Sequence, residues 1–565
     1  MNRHLDKTKF SNNSTLLWLS IFLFFLYMGW IAARPQSVFW TVDEGGKFIY
    51  IQNTIRSGNP ASPLDYPARA LDPNGEFYPS FYVNHRGNQV TMWWQAGFPL
   101  LAGIFYQIIG WLGLYIIPAI CGVATAYLAA ITFGLMIPNQ PSLKILVLLV
   151  TGLATPIAFY STIFLEHTLT TCGSMAATYF LLRGQYTNDQ RWYYFAGISA
   201  ALAVFFRVEV ILLLAGFGVV LLIKNWRNGL RFGFSTLVVL APLIFVHAQI
   251  TGSAFTPVLA SVTAGKSFQV SEAYGSKFLA YFLYNPPAVW TLSIPDVLVV
   301  VGTLGFLIFV IGTIFKPMHW IGIIGATLTL ITPVWILVNP SGYRSLQGLI
   351  TAGPCILFSI WLFIRRENWQ SSQLPGMLAA GLVLTMLGYL YKSWVGAGGL
   401  QWGPRYLLSF YPILVVAGLV GLHSIWDQFS KTRKTIIIVL YLFAIFIGLG
   451  FQVRGALTVR TIQEYYQQSE SAFREFSDRP VVTAWCDIVY LLPNLYWEQQ
   501  FVSTTRSGLN RWAEHAKETG IDQFYVAKLD LCSADFLDAV AQNRKTNPTG
   551  LTILSYKTAD YPNHE

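Results

Sequence analysis

The sequence predicts a mainly α-helical, polytopic membrane protein with about thirteen transmembrane helices, a long first outer loop and a small C-terminal α/β outer domain. Three observations predict it. Of 565 residues, 54% are hydrophobic and only 11% charged, whereas soluble proteins carry roughly 25% charged residues. The apolar residues lie in long runs such as Leu16 to Ala33, Val297 to Phe315 and Thr435 to Phe451. Each approaches the roughly 20 residues, at 1.5 Å rise, that cross a bilayer. Lys and Arg collect in alternate connections between the runs, the pattern that sets topology. The net charge of +10 is therefore read as membrane-topology charge, not as a nucleic-acid footprint.

The elements follow in order. Arg3, Lys7 and Lys9 precede the first span, Leu16 to Ala33, with no small-residue cleavage site, so this reads as an uncleaved helix. Residues 34 to 95 are polar and aromatic, too mixed to span. Residues 96 to 109 suit a surface helix, and 111 to 137 a span. Further spans are expected at 143–160, 167–182, 192–206, 210–223, 232–250, 296–315, 320–338, 346–364, 374–391, 406–423 and 435–451. With the N-terminus inside, the basic connections face the cytoplasm. The outer connections then hold most of the acidic residues and the Gly, Trp and Pro clusters. An integral protein of a bacterial inner membrane fits this pattern.

Residues 1–453 thus form the transmembrane domain, with its outer loop at 34–95. Residues 454–565 have ordinary soluble composition, and an odd number of spans places them outside. Extended runs at 480–485, 523–529 and 551–556 alternate with helical patterns at 507–519 and 533–543, the signature of a small α/β unit. Cys121, Cys172 and Cys355 lie in apolar runs. Cys486 and Cys532 follow two of the extended runs, either as a disulfide at one edge of a parallel sheet or as separate thiols.

Three motifs carry candidate chemistry. Thr41-Val42-Asp43-Glu44 follows the first span. Its acids either cap a following helix or supply a general base at the membrane–water boundary. Glu166 and His167 sit in a short outer connection, as a helix cap or as a functional pair. The stretch Gly396 to Tyr406 combines glycines that permit close backbone approach, Trp402 as a stacking face and Arg405 as a fixed cation suited to phosphate. Lys392, Arg344 and Lys266 are expected in the same outer layer. Arg207 and Glu209, between two apolar stretches, read most simply as a buried ion pair.

Taken together, Asp-Glu after the first span, Glu-His before the fourth and Trp-Gly-Pro-Arg-Tyr before a late span resemble the GT-C superfamily of integral-membrane glycosyltransferases. That group includes protein O-mannosyltransferases and lipid A aminoarabinose transferases. The stretch Trp94 to Leu101 looks like the family's Pro/Gly-containing entry to its second surface helix. The resemblance maps the family's acid after the first helix onto Asp43, with Glu44 completing the pair, and a second acidic site onto Glu166 or His167. It implies a polyprenyl-phosphate sugar as co-substrate, and a glycan, lipid or protein as acceptor. Arg405, with Trp402 and Tyr406, is the first candidate for the donor phosphate, ahead of Lys392 and Arg207. Glu166 and His167 would orient the acceptor or hold a divalent metal, which nothing in the sequence requires. No Gly-rich nucleotide loop appears in the inner segments. The rival reading is a transporter, flippase or polymerase of lipid-linked glycans, but such sites favour mid-membrane positions in repeated halves.

Overall fold

A computed structural model describes residues 3–80, 82–252, 294–315, 320–339, 348–364, 366–391, 402–476, 478–484, 487–504, 509–529 and 551–557. Helices dominate. They are labelled α1 (Arg3–Ala32), α2 (Val42–Ser57), α3 (Gly97–Ile109), α4 (Ile116–Met136), α5 (Pro141–Leu153), α6 (Pro156–Tyr160), α7 (His167–Thr187), α8 (Arg191–Phe206), α9 (Ile211–Lys224) and α10 (Trp226–Thr251). After these come α11 (Ile294–Phe315), α12 (Trp320–Val338), α13 (Leu374–Tyr391), α14 (Phe410–Ile425), α15 (Lys431–Arg474) and α16 (Leu509–Glu518). Among the described residues, seven helical segments are long and apolar enough to cross a membrane, with mean hydropathies of 1.4 to 2.7. The chain is an integral membrane protein.

Two compact units divide it. The first comprises 1–30, 115–243 and 266–456. It is a helical bundle whose partners include α4 with α7, α7 with α8, α9 with α13 and α11 with α12. Small residues let these backbones meet, as lipid-embedded helices require. A Cβ at Gly216 would run into the backbone of Ala380 and Gly381. Hydroxyls inside the apolar helices bond their own backbone, as in Thr171 to the His167 carbonyl at 2.8 Å and Thr178 to that of Ser174 at 2.9 Å.

Two expected spans are broken. Residues 143–160 form α5 and α6, because Thr155 caps a new helix that begins with Pro156, and proline cannot donate to the preceding turn. Residues 346–364 form a short helix Leu349–Ala352, a 3-10 stretch Pro354–Ile360 and a further turn, interrupted at Gly353-Pro354. In contrast, α15 runs for 44 residues, well past the expected end at Phe451, because Gln452 to Arg474 keep strong helix formers and contain no proline.

The second unit comprises 31–114, 244–265 and 457–565. Its four-stranded sheet contains β3 (Val481–Ala484), β4 (Phe501–Thr504), β5 (Gln523–Leu529) and β6 (Leu551–Lys557), in the order β4-β3-β5-β6. Strand β3 pairs in parallel with both β4 and β5, and β6 runs antiparallel to β5. Val481 and Val482 are fully buried, as are Trp512 and Ala516 of α16. Strand β4 escaped the sequence pattern because Phe-Val-Ser-Thr is only four residues long, yet it is buried throughout. A hairpin, β1 (Val83–Arg86) and β2 (Gln89–Met92), turns at Gly87 with φ 59°. Residues 533–543, Cys486 and Cys532 lie outside the described residues. Cys121, Cys172 and Cys355 are thiols.

Candidate active site

The acidic pair belongs to the second unit. Thr41, with extended backbone at φ −130° and ψ 155°, is the N-cap of α2. Its backbone N–H donates to Glu44 Oε2 at 3.0 Å, and its hydroxyl lies 3.3 Å from the same oxygen. Glu44 is 1% exposed. This is the reciprocal cap in which a carboxylate at the third helical position satisfies the N-cap amide. Asp43, beside it in the first turn, is half-buried. The positive end of α2 favours both acids.

Two glycines press this turn against its surroundings. A Cβ at Gly45 would strike the Tyr490 backbone, and one at Gly46 the Trp94 ring. Trp94 lies between Tyr490, at 5.9 Å, and Tyr82, at 6.0 Å. Next along α2, Lys47 is 2% exposed, its Nζ 5.9 Å from the Phe98 ring centre at the start of α3. The sequence reading did not single out Lys47, although a lysine four residues after an acid faces the same side of a helix.

A tyrosine network supports the same unit. The Tyr78 and Tyr496 hydroxyls are 2.6 Å apart, Tyr496 also donates to the Asp65 carbonyl at 2.5 Å, and Tyr66 donates to Asp72. Burial pushes Tyr66, Tyr78, Tyr490 and Tyr496 above the usual phenol range. They are neutral scaffolding at physiological pH.

The second and third motifs meet within the first unit. Glu166 precedes α7 and is 7% exposed. Arg207 ends α8 in extended conformation, which sends its guanidinium across to Glu166 Oε1 at 2.8 Å and to Glu209 Oε1 at 2.5 Å. The ion pair expected between Arg207 and Glu209 is present, and Glu166 makes it a triad. His167 is 1% exposed, and its ring stacks on Tyr160 at 5.0 Å and 12°.

Tyr160 accepts the Trp402 amide at 3.2 Å, while the Trp402 indole donates to the Phe451 carbonyl at 3.0 Å and stacks on Phe159. Gly403 follows with φ 76°, where side chains are strained, and an added Cβ would lie 2.7 Å from Pro156. That turn delivers Arg405, 9% exposed, whose Nη2 donates to the Tyr406 hydroxyl at 3.1 Å. The Arg405 and Arg207 guanidiniums lie 5.0 and 5.2 Å from the centre of the Tyr406 ring. Among the described residues, two cations and two carboxylates thus gather around Tyr406 and Arg207. Lys392, Lys266 and Arg344 lie outside the described residues. Among the described residues, no three His, Cys, Asp or Glu side chains gather as a metal site.

The fold and these residues define an integral-membrane protein that holds ionisable side chains buried beside its apolar helices. Its architecture is similar to two crystal structures of ArnT from Cupriavidus metallidurans, one bound to undecaprenyl phosphate and one in the apo state. Identity is 12% to the first and 13% to the second, with TM-scores of 0.41 and 0.45. Each alignment covers 94% of this chain, and 94% and 95% of the respective structures. No protein-family model and no curated protein matches the sequence.

Proposed function

We propose that this chain is a GT-C type glycosyltransferase that moves a sugar from a polyprenyl-phosphate-linked donor to an acceptor hydroxyl at the outer membrane face. The observation that carries the reading is the division of roles in the acidic pair. Glu44 and Thr41 form the cap of α2, and Asp43, half-buried in the same turn, is the general base. The reaction is a single in-line displacement. The bond from the anomeric carbon to the phosphate oxygen breaks, a bond to the acceptor oxygen forms, and the acceptor proton passes to Asp43. A positioned base of this kind contributes about 10²–10⁴-fold. Arg405 is assigned to the leaving phosphate, because a planar guanidinium grips two phosphate oxygens at once. Arg207, bound to two carboxylates, holds the cluster in place, and a bacterial inner membrane with the N-terminus cytoplasmic is the proposed setting. A thin-layer assay with radiolabelled polyprenyl-phosphate sugars and membranes containing the protein tests the reading. Label moving to an acceptor supports it, and donor consumed by no acceptor fraction overturns it.

A further inference from the structure

Helices α4 and α7 pack side by side in the first unit, and their contact can be followed along both. The Thr168 hydroxyl donates to the Pro118 carbonyl at 3.1 Å. One turn further along stand Cys121, at i+3 on α4, and Cys172, at i+4 on α7, spacings that share a helix face. The two thiols are hydrogen-bonded to each other, and Cys172 is also within hydrogen-bonding reach of the Thr125 side chain, a turn beyond Cys121. The contacts advance in the same direction on both helices, so α4 and α7 run parallel here. Pro118, Cys121, Thr125, Thr168 and Cys172 all have small side chains, which lets the two backbones approach closely.

Position separates this pair from an inert core thiol. Cys121 and Cys172 are both partly exposed, whereas Cys355 is 1% exposed. The surface beside them is apolar: α4 belongs to a segment long and apolar enough to cross a membrane, and Ile120, next to Cys121, is 49% exposed. A lone buried thiol behaves as a small hydrophobe. Two thiols in contact instead turn the first step of sulfur oxidation into a reversible bond, because the second sulfur captures the first before it oxidises further.

We propose that Cys121 and Cys172 are a dithiol oxidation site, closed to a disulfide between α4 and α7 by an apolar hydroperoxide arriving through the bilayer. One sulfur attacks the outer oxygen of the hydroperoxide. The O–O bond breaks, the alcohol leaves with that thiol's proton, and a sulfenic acid remains. The second sulfur then attacks the first, the S–S bond forms, and the hydroxyl leaves as water with the second thiol's proton. The two sulfurs lose two electrons and the peroxide gains them. The oxidant is apolar because a charged one pays desolvation to leave water for this surface. The bond ties α4 to the first turns of α7, which starts at His167 beside Glu166. The inference stands whether or not the chain is a transferase.

The test treats the full chain in phosphatidylcholine nanodiscs with cumene hydroperoxide or, in parallel, with oxidised glutathione at the same concentration. The protein is then denatured, alkylated and mapped by mass spectrometry, which reads each cysteine separately. With the hydroperoxide, Cys121 and Cys172 should be lost together from the alkylated pool and appear as one cross-linked pair lacking two hydrogens. Dithiothreitol should restore both, and Cys355 should stay alkylated throughout. Oxidised glutathione should leave the pair reduced. Cys121→Ser should abolish the cross-link and leave Cys172 to proceed to sulfinic acid. Both thiols still alkylated in hydroperoxide-treated wild-type protein, each oxidised to a separate sulfinic acid there, or the pair consumed equally by oxidised glutathione, overturns the inference.

Discussion

Two regions of this molecule bury carboxylates near apolar helices, and they solve the problem differently. At the start of α2, Glu44 is stabilised by a backbone amide and a hydroxyl of Thr41. In the other, Glu166 before α7 and Glu209 between α8 and α9 are stabilised by the Arg207 guanidinium, which bonds both. The Glu44 cap acts through dipoles at the positive end of α2. The Arg207 guanidinium ties two carboxylates from different connections together and so acts as a brace. A carboxylate bonded to Arg207 gives up structure when it is protonated.

The largest expected effect tests the first half of that contrast. Asp43→Asn retains shape and cap but cannot accept a proton. Sugar transfer should fall at least about 10²-fold, with thermal unfolding of the purified protein unchanged. Equal, mild losses from Asp43→Asn and Glu44→Gln would make both acids parts of a cap and end the comparison.

The second prediction tests the brace. Arg207→Met leaves Glu166 and Glu209 buried without their cation, which costs about 3–5 kcal/mol. Expression and melting temperature should drop sharply. The triple variant Arg207→Met, Glu166→Gln, Glu209→Gln should recover part of that loss, because the two carboxylates that lose Arg207 are then uncharged. A single variant as stable as wild type would mean that water already screens the cluster.

Much of this was legible in the sequence, and the reasons it stopped short are local. The apolar runs gave α11, α12 and α13 to within a few residues, and the end of α1 though not its start, which lies at Arg3 rather than Leu16, since uninterrupted hydrophobicity has few competing readings. The runs at 143–160 and 346–364 misled because hydropathy is blind to the backbone consequences of Thr155-Pro156 and Gly353-Pro354. Glu44 and Asp43 are adjacent letters with equal chemistry, and only the cap's geometry separates them. The contact of Glu166 with Arg207 spans 41 positions, which no short motif records. Gly403 was visible as a glycine, but its need for positive φ and its fit against Pro156 emerge only from packing.

The third prediction concerns Arg405, which shares the Tyr406 ring with Arg207 but is assigned a ligand where Arg207 is assigned none. Arg405→Lys keeps the charge and loses the two-oxygen grip. Apparent affinity for the lipid-phosphate donor should fall, and fall further in Arg405→Ala, while the melting temperature moves less than in Arg207→Met. Normal donor affinity in both variants would make Arg405 a second brace.

The smallest effect sharpens the cap itself. In Glu44→Gln, the side-chain carbonyl still accepts from the Thr41 amide, so the reciprocal cap survives without its charge. Lost interaction with the positive end of α2 then leaves a deficit of only about 0.3–1 kcal/mol. Glu44→Ala removes the acceptor as well and leaves the Thr41 N–H buried, which raises the loss by about 1 kcal/mol or more. Melting temperatures should therefore rank wild type, Glu44→Gln, Glu44→Ala. If the cap merely positions Asp43, transfer activity should follow the same ranking and stay well above that of Asp43→Asn. Activity in Glu44→Gln as low as in Asp43→Asn, at near-normal stability, would instead require the Glu44 charge in the reaction and reverse the roles assigned to the two acids.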